Sequence, residues 1–370
     1  MVDLVIRSNI VINMGISRAF ERLLSMVSTD IGIDLGTANT LVYVKGKGVV
    51  LNEPTIVAIN KKTGQLVAIG DAARTMQGRT PTHIEVVRPL VEGVISDFEV
   101  TEEMLTYLIG KVRGETRTLI APRVLVGVPC GITNVEMRAA RDAAKNAGAR
   151  DVFLIAEPMA AAIGAKLPVE KAVGSMIIDI GGGTSNIAVI SFGGIVTSKN
   201  LRLAGDHLNE AIVTYIRDQF KVLVGDKTAE DAKVKLAAIE QDSDARELVV
   251  RGRDVVSGLP REVVITDADI REAISQSVDT IVEAVRNVLE QTPPEVLADI
   301  MQRGIFLSGG GALIPGFAAL LEEIIRVPVV VVPDPLKTVV RGTGIVLENL
   351  DAYEEILVDQ NGELTPNLTE

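Results

Sequence analysis

Asp30-Ile31-Gly32-Ile33-Asp34-Leu35-Gly36-Thr37-Ala38-Asn39-Thr40-Leu41 and Ser175-Met176-Ile177-Ile178-Asp179-Ile180-Gly181-Gly182-Gly183-Thr184-Ser185-Asn186 carry one pattern twice. Each is an apolar run, an Asp-x-Gly turn and a second apolar run, which continues through Val42-Tyr43-Val44 in the first copy and Ile187-Ala188-Val189-Ile190 in the second. The pattern predicts strand–turn–strand. Glycine in such a turn lets backbone N–H groups come close to an anion. An aspartate at the strand end can hold a hydrated Mg²⁺ without touching phosphates, and Asp34 and Asp179 stand there. Two such hairpins about 145 residues apart predict a clamp on a triphosphate, one jaw from each half of the chain.

A third glycine turn follows another apolar strand: Ile305-Phe306-Leu307 runs into Ser308-Gly309-Gly310-Gly311. It is expected to open a helix over 312–325, and helix N-termini favour anions. Val327–Pro333 reads as a short buried strand. Arg123–Pro129, a helix over 133–147 and Val152–Ile155 predict a parallel strand pair with a right-handed crossover. Thr133 is the expected N-cap of that helix, with Glu136 in the capping-box position. Glu157-Pro158 opens the next helix, expected over Met159–Ala165, with proline at its first position. Further helices are expected over 206–224, 226–239 and 269–290. No G-x-x-x-x-G-K-[ST] occurs, which excludes a P-loop, and the glycine turns do not fit a G-x-G-x-x-G in a first βα unit.

Composition narrows the classes. The chain has 370 residues, 47% of them hydrophobic, enough for two cores. A net charge of −12 argues against nucleic acid as a partner, because that requires a basic face. One cysteine in the whole chain precludes an internal disulfide and fits a reducing cytosol. No run approaches 18 apolar residues.

Residues 1–29 form an N-terminal extension. Within 16–27, Ile16, Ala19, Phe20, Leu23, Leu24 and Val27 share one helical face, and Arg18, Glu21, Arg22 and Ser25 the other. Such a helix can lie in a membrane interface. It can equally pack on the protein's own core or mediate self-association. Met14 is an alternative start.

These motifs resemble those of the actin superfamily, which includes sugar kinases and heat-shock chaperone ATPases. They are most similar to the MreB family of bacterial rod-shape cytoskeletal actins. The resemblance rests on Asp30–Leu41, Lys45–Gly48, Leu51–Pro54, Glu157–Gly164, Asp179–Thr184 and Gly309–Leu313, and runs from about Asp30 to Leu350. It implies an α/β, actin-like fold: two domains, each a mixed sheet flanked by helices with a smaller inserted subdomain, and a nucleotide in the cleft between them. The implied division is domain I over 30–170 (smaller subdomain about 58–90) and domain II over 171–340 (smaller subdomain about 207–270). A return to domain I over 341–358 and a polar, disordered tail over 359–370 complete it.

By the same resemblance the cofactors are ATP and Mg²⁺. Thr37, Ala38 and Asn39 hold phosphates from one side; Gly181, Gly182 and Gly183 hold them from the other. Asp34 and Asp179 face Mg²⁺ through water. Glu157 orients or deprotonates the attacking water, with Thr184 beside it. Glu230 and Lys233 contact the nucleoside, and Gly309, Gly310, Gly311 and Ala312 form the adenine-side turn. Carboxylate, metal and N–H donors together make a coherent phosphoryl-transfer site.

The implied function is an ATPase whose hydrolysis drives turnover of a cytoskeletal filament that maintains rod shape during wall elongation. The implied partners are further copies of itself in paired protofilaments, the inner face of the cell membrane, and MreC, MreD and RodZ. Three other readings stay open: a sugar kinase, a chaperone-type ATPase, and an ATP-binding scaffold that does not hydrolyse. The chain departs from the family pattern at Cys130, which stands where Ser is usual, and at Ala156, Ala232 and Ala237. Cys130 is expected to be a small buried residue, since no histidine lies near it in sequence to activate it.

Overall fold

A computed structural model describes residues 29–116, 120–240 and 245–358. The helix expected over 16–27 and the tail over 359–370 lie outside these residues.

The first half begins with β1 (Ile31–Leu35), β2 (Asn39–Val44) and β3 (Gly48–Pro54). A small unit follows: β4 (Val57–Asn60), β5 (Leu66–Ile69), α1 (Asp71–Met76) and β6 (Ile84–Val87), then the hairpin β7 (Leu90–Val91) and β8 (Val94–Ile95). The chain returns through α2 (Phe98–Thr116), β9 (Arg123–Val128), α3 (Asn134–Asn146), β10 (Asp151–Ala156) and α4 (Glu157–Gly164). The second half runs β11 (Ser175–Ile180), β12 (Ser185–Ser191), β13 (Gly194–Leu201), α5 (Gly205–Phe220), β14 (Val222–Leu223), α6 (Asp226–Leu236), β15 (Glu247–Asp254), β16 (Pro260–Thr266) and α7 (Asp267–Glu290). It ends with α8 (Pro294–Arg303), β17 (Ile305–Ser308), α9 (Phe317–Ile325), β18 (Val329–Val331) and α10 (Thr338–Glu348).

The two large sheets share one topology. The first has the order β10-β9-β1-β2-β3, and the second β18-β17-β11-β12-β13. In each, an antiparallel meander is extended by two parallel strands. β1 and β11 are therefore equivalent central strands, and Asp34 and Asp179 occupy equivalent positions near their carboxyl ends. Ligands gather at that end of such strands.

Each sheet has its own apolar core. A third core joins the halves: Met159, Ala160 and Ile163 of α4 pack with Val339, Val346 and Leu347 of α10, against Leu125 and Ile155 of one sheet and Ile177 and Ile190 of the other. The two helices touch backbone to backbone. A Cβ on Gly342 would overlap the Ala160 carbonyl, and one on Gly164 the Thr338 carbonyl. Only glycine allows that approach.

Several expected elements differ in extent. α3 has the expected cap, with Thr133 and Glu136 forming a reciprocal capping box. α5 stops at Phe220 rather than 224, because Lys221 turns left-handed at φ 58° and Val222–Leu223 pair as β14. α6 stops at Leu236 rather than 239, at Ala237 in a non-helical conformation. α7 starts at Asp267, two residues early, capped by Thr266 and Asp269. No α-helix opens on the third glycine turn: Gly310–Leu313 is a single 3₁₀ turn, and α9 begins only after Pro315 and the left-handed Gly316. The run 327–333 is not a fully buried strand. β18 is the sheet's edge, with Val330 and Val331 exposed and the Val329 N–H capped by Glu322 Oε2 at 3.1 Å. A side-chain acceptor on an edge N–H blocks further strand pairing.

Candidate nucleotide site

Both Asp-x-Gly turns lie where the two halves meet. The first is braced from below by Thr55, whose hydroxyl donates to Gly36 O at 2.6 Å and whose N–H donates to Ala38 O at 3.0 Å. The second is closed by Gly181 N–H to Thr184 O at 2.9 Å. The turns abut: a Cβ on Gly182 would overlap Ala38, and one on Gly183 would overlap Thr37. Glycine is needed at both places because the first turn comes to them, with Ala38 against Gly182 and the Thr37 side chain against Gly183. Ala38 and Asn39 stay exposed at the mouth, while Thr37 and Thr184 are buried.

The N-terminus of α5 supports the second turn, with Gly205 N–H on Gly181 O (3.2 Å) and Asp206 N–H on Gly182 O (2.7 Å). The Asp206 side chain reaches the other half and pairs with Arg88 at 3.0 Å. The β7–β8 hairpin also enters the site. Its tip, Glu92-Gly93, is left-handed at both residues (φ 50° and 78°). Gly93 N–H donates to Thr37 Oγ1 at 2.9 Å, and a Cβ there would press on Pro129 and Thr184.

Three carboxylates converge beneath the turns: Asp34, Asp179 and Glu157, the first residue of α4. Burial first, and then the charge of Asp179, pushes Asp34 up to about 7. Burial pushes Asp179 up to about 6 against the opposing hydrogen bond from Ser308. Glu157 is raised well above its ordinary value, by burial and then by Asp34 and Asp179. Asn186 Nδ2 donates to Glu157 Oε2 at 2.8 Å, the one interaction that favours its charged form. Carboxyls that repel one another in a buried space fit a cation placed among them. Among the described residues, no three His, Cys, Asp or Glu side chains are grouped so that they would ligate one ion directly.

Glu230 and Lys233 of α6 form a pair at 2.7 Å. Lys233 Nζ also donates to Gly205 O at 2.8 Å, which ties α6 to the start of α5 and so to the second turn. Burial raises the Glu230 carboxyl, but Lys233, Asn209 and Arg88 outweigh it and the net shift is downward. It is an acceptor at neutral pH. Gly309 (φ 80°) and Gly311 lie directly on Ile180 at the end of β11, where a Cβ on either would overlap it. Gly311 and Ala312 are buried and Gly310 is exposed. Cys130 is buried, and burial followed by the charge of Glu157 pushes its thiol up to about 12, which leaves it inert.

The sixteen site positions expected from sequence fall into three groups: the apposed turns, the carboxylates, and the Glu230/Lys233 and Gly309–Ala312 flanks, which join the second turn through Gly205 and Ile180 respectively. Sequence reasoning missed Thr55, Gly93, Asn186, Arg88, Asp206 and Asn209. Of these, only Asn186 carried a signal, as the polar residue inside the second motif.

A model of the MreB/Mbl protein family matches residues 28–355. The chain is 49% identical to the cell shape-determining protein Mbl of Bacillus subtilis (strain 168) over 327 residues, covering 88% of this chain and 98% of that protein. It is 48% identical to the cell shape-determining protein MreB of Escherichia coli (strain K12) over 337 residues, covering 90% and 97%. Among solved structures, MreB5 of Spiroplasma citri bound to ADP superposes with a TM-score of 0.84 at 39% identity, covering 89% of this chain and 98% of that one. The same protein bound to AMPPNP gives 0.83. A MamK double helical filament shares the fold, with a TM-score of 0.75 at 22% identity, covering 87% and 99%.

Proposed function

The chain belongs to the MreB/Mbl family, and from that membership we propose that it is a cell shape-determining cytoskeletal protein that binds Mg·ATP in the cleft described above and hydrolyses it as its filaments turn over. The observation that carries the reading is the apposition of the Thr37-Ala38 and Gly182-Gly183 turns above Asp34, Asp179 and Glu157. MreB5 of Spiroplasma citri has been solved bound to ADP and bound to AMPPNP, which supports a nucleotide in the equivalent cleft.

The residues divide the work as follows. Backbone N–H groups of the two turns, with Thr37, Asn39 and Thr184, hold the phosphates. Asp34 and Asp179 face the cation's water shell. Mg²⁺, when bound, offsets phosphate charge and the mutual repulsion of the carboxylates. Glu157, held on one oxygen by Asn186, accepts a proton from the attacking water. Burial and the neighbouring charges of Asp34 and Asp179 make Glu157 harder to ionise, and a cation among them would ease that. Glu230 and Lys233 take the nucleoside, and Gly309–Ala312 the base.

The filament lies on the inner membrane surface through the amphipathic segment 16–27, and its partners are the wall-elongation proteins MreC, MreD and RodZ. Among the described residues no helix is long and apolar enough to cross a membrane. Sedimentation with and without ATP, run together with phosphate release, tests the core of the reading. ATP-dependent pelleting with phosphate release supports it. Phosphate release without assembly would favour a kinase- or chaperone-like enzyme, and assembly without release a scaffold.

A further inference from the structure

Two short segments face each other where the halves meet, one from each half of the chain. The first runs from Arg88, between β6 and β7, to Glu92 at the tip of the β7–β8 hairpin. The second runs from Arg202, just after β13, to Asp206 in the first turn of α5. Each begins with an arginine and ends with a carboxylate four positions later. They pair crosswise, first with last. Arg88 Nη1 meets Asp206 Oδ1 at 3.0 Å, and Arg202 Nη1 meets Glu92 Oε2 at 3.4 Å. Glu136 of the first half also lies 3.9 Å from Arg202.

Both segments are anchored in their own half. The Pro89 carbonyl accepts from the N–H groups of Ser96 and Asp97 at 2.9 and 3.2 Å, and the Leu203 carbonyl accepts from the Ser185 hydroxyl at 2.6 Å. Each segment is also fixed to a phosphate turn: Gly93 N–H donates to Thr37 Oγ1, and Asp206 N–H to Gly182 O. Glu92 stands at φ 50°, a conformation that a residue with a Cβ rarely adopts, so the tip is held there by its partners. The turns cannot separate without breaking both ion pairs, because each pair has one partner in each half. The pairs are also within reach of water. Side-chain exposure is 37% and 24% for Arg88 and Asp206, and 61% and 34% for Arg202 and Glu92. Pairs this exposed are weak and screened by salt, so they can part and re-form.

We propose that these two ion pairs are a clasp over the nucleotide: the cleft opens for exchange only when both have parted, so they set how long a nucleotide stays bound. This rests on the nucleotide-site reading given above. Arg88 stands where such a clasp is needed. It pairs with Asp206, which supports the second phosphate turn, and its charge also acts on Glu230, the residue proposed for the nucleoside.

The test is the rate at which fluorescently labelled Mg·ATP leaves the protein when chased with excess unlabelled Mg·ATP. It is measured by stopped flow on the parent, Glu92→Gln, Arg202→Gln and the double variant, at low and high potassium chloride. Each single variant is expected to release nucleotide about two- to five-fold faster, the range open to an exposed ion pair. The double variant should be no faster than the faster single one, because the second substitution removes a partner already lost. Release from the parent should speed up with salt, and release from the double variant should do so less. A general loosening of the fold would give additive effects and an unchanged salt response, and that result would overturn the clasp. Release at the parent's rate in all three variants would overturn it too. Both of these outcomes leave the nucleotide site standing. A parent that binds neither labelled nor unlabelled Mg·ATP overturns the site reading, and the clasp with it.

Discussion

Asn186 and Glu157 come from different halves of the chain, 29 residues apart, and meet through a 2.8 Å hydrogen bond from Nδ2 to Oε2 in a buried space. The bond joins the end of the second hairpin to the start of α4. It also opposes the effect of burial, because a donor favours the charged carboxylate.

If Glu157 is the proton acceptor, Glu157→Gln keeps the hydrogen bond and the shape but cannot take a proton. Nucleotide binding should persist, and phosphate release should slow by on the order of 10²-fold. Asn186→Ala should act differently. Without the donor, Glu157 is harder to ionise, so the acid limb of the pH–rate profile should move to higher pH. Equal phosphate release in Glu157→Gln and parent would remove Glu157 from the mechanism.

The carboxylate cluster makes a signed prediction about pH. Asp34 (about 7) and Asp179 (about 6) lie above their ordinary value of 3.8. At these two groups the folded protein holds more protons than the unfolded chain, so their contribution to stability is full below about pH 4 and is lost as pH rises through 6 to 7. Ligand-free protein should melt at a lower temperature at pH 7.5 than at pH 5, and Mg·ADP should remove most of the difference. Asp179→Ala should raise the ligand-free melting temperature at pH 7.5 while weakening Mg-nucleotide binding. A variant that binds Mg-nucleotide as tightly as the parent would show that Asp179 does not face the cation.

The contact between α4 and α10 has no room for a methyl group. Gly342→Ala would drive a Cβ into the Ala160 carbonyl, and should cost about 1–3 kcal/mol by overpacking. The measurement is denaturant unfolding. Because these helices join both sheets, nucleotide affinity should fall with stability. An unchanged midpoint would mean the helices slide apart without cost.

The membrane proposal concerns residues 16–27. A single helix of this length binds lipid weakly, but a filament presents many copies and gains avidity without new contacts. Changing Phe20 and Leu24 to Asp should abolish co-sedimentation with liposomes and leave ATP-dependent assembly intact. Loss of assembly in that variant would place the helix in the fold or the polymer contact.

Local sequence was sufficient for whatever depends on neighbouring residues. Both Asp-x-Gly turns, the strands beside them and the α3 capping box are set by a few adjacent positions, and repetition of one motif was enough to anticipate two equivalent halves. Element ends were less legible, because they turn on single backbone conformations. Lys221 goes left-handed where helical periodicity would have continued, and Pro315-Gly316 delays α9. β18 reads as buried by its valines, yet sheet order leaves it at the edge. The site's supporting residues were hidden for a further reason. Thr55 reaches Gly36 across 19 positions, Asn209 reaches Glu230 across 21, and Gly93 reaches Thr37 across 56. A threonine, an asparagine or a glycine carries no mark of such a partner, since hydrogen bonding at this range depends on where the chain returns in space. Sequence by itself singled out the residues proposed to hold the phosphates. Tertiary structure decided which residues hold those residues, because burial and long-range pairing exist only once both sheets have closed on α4 and α10.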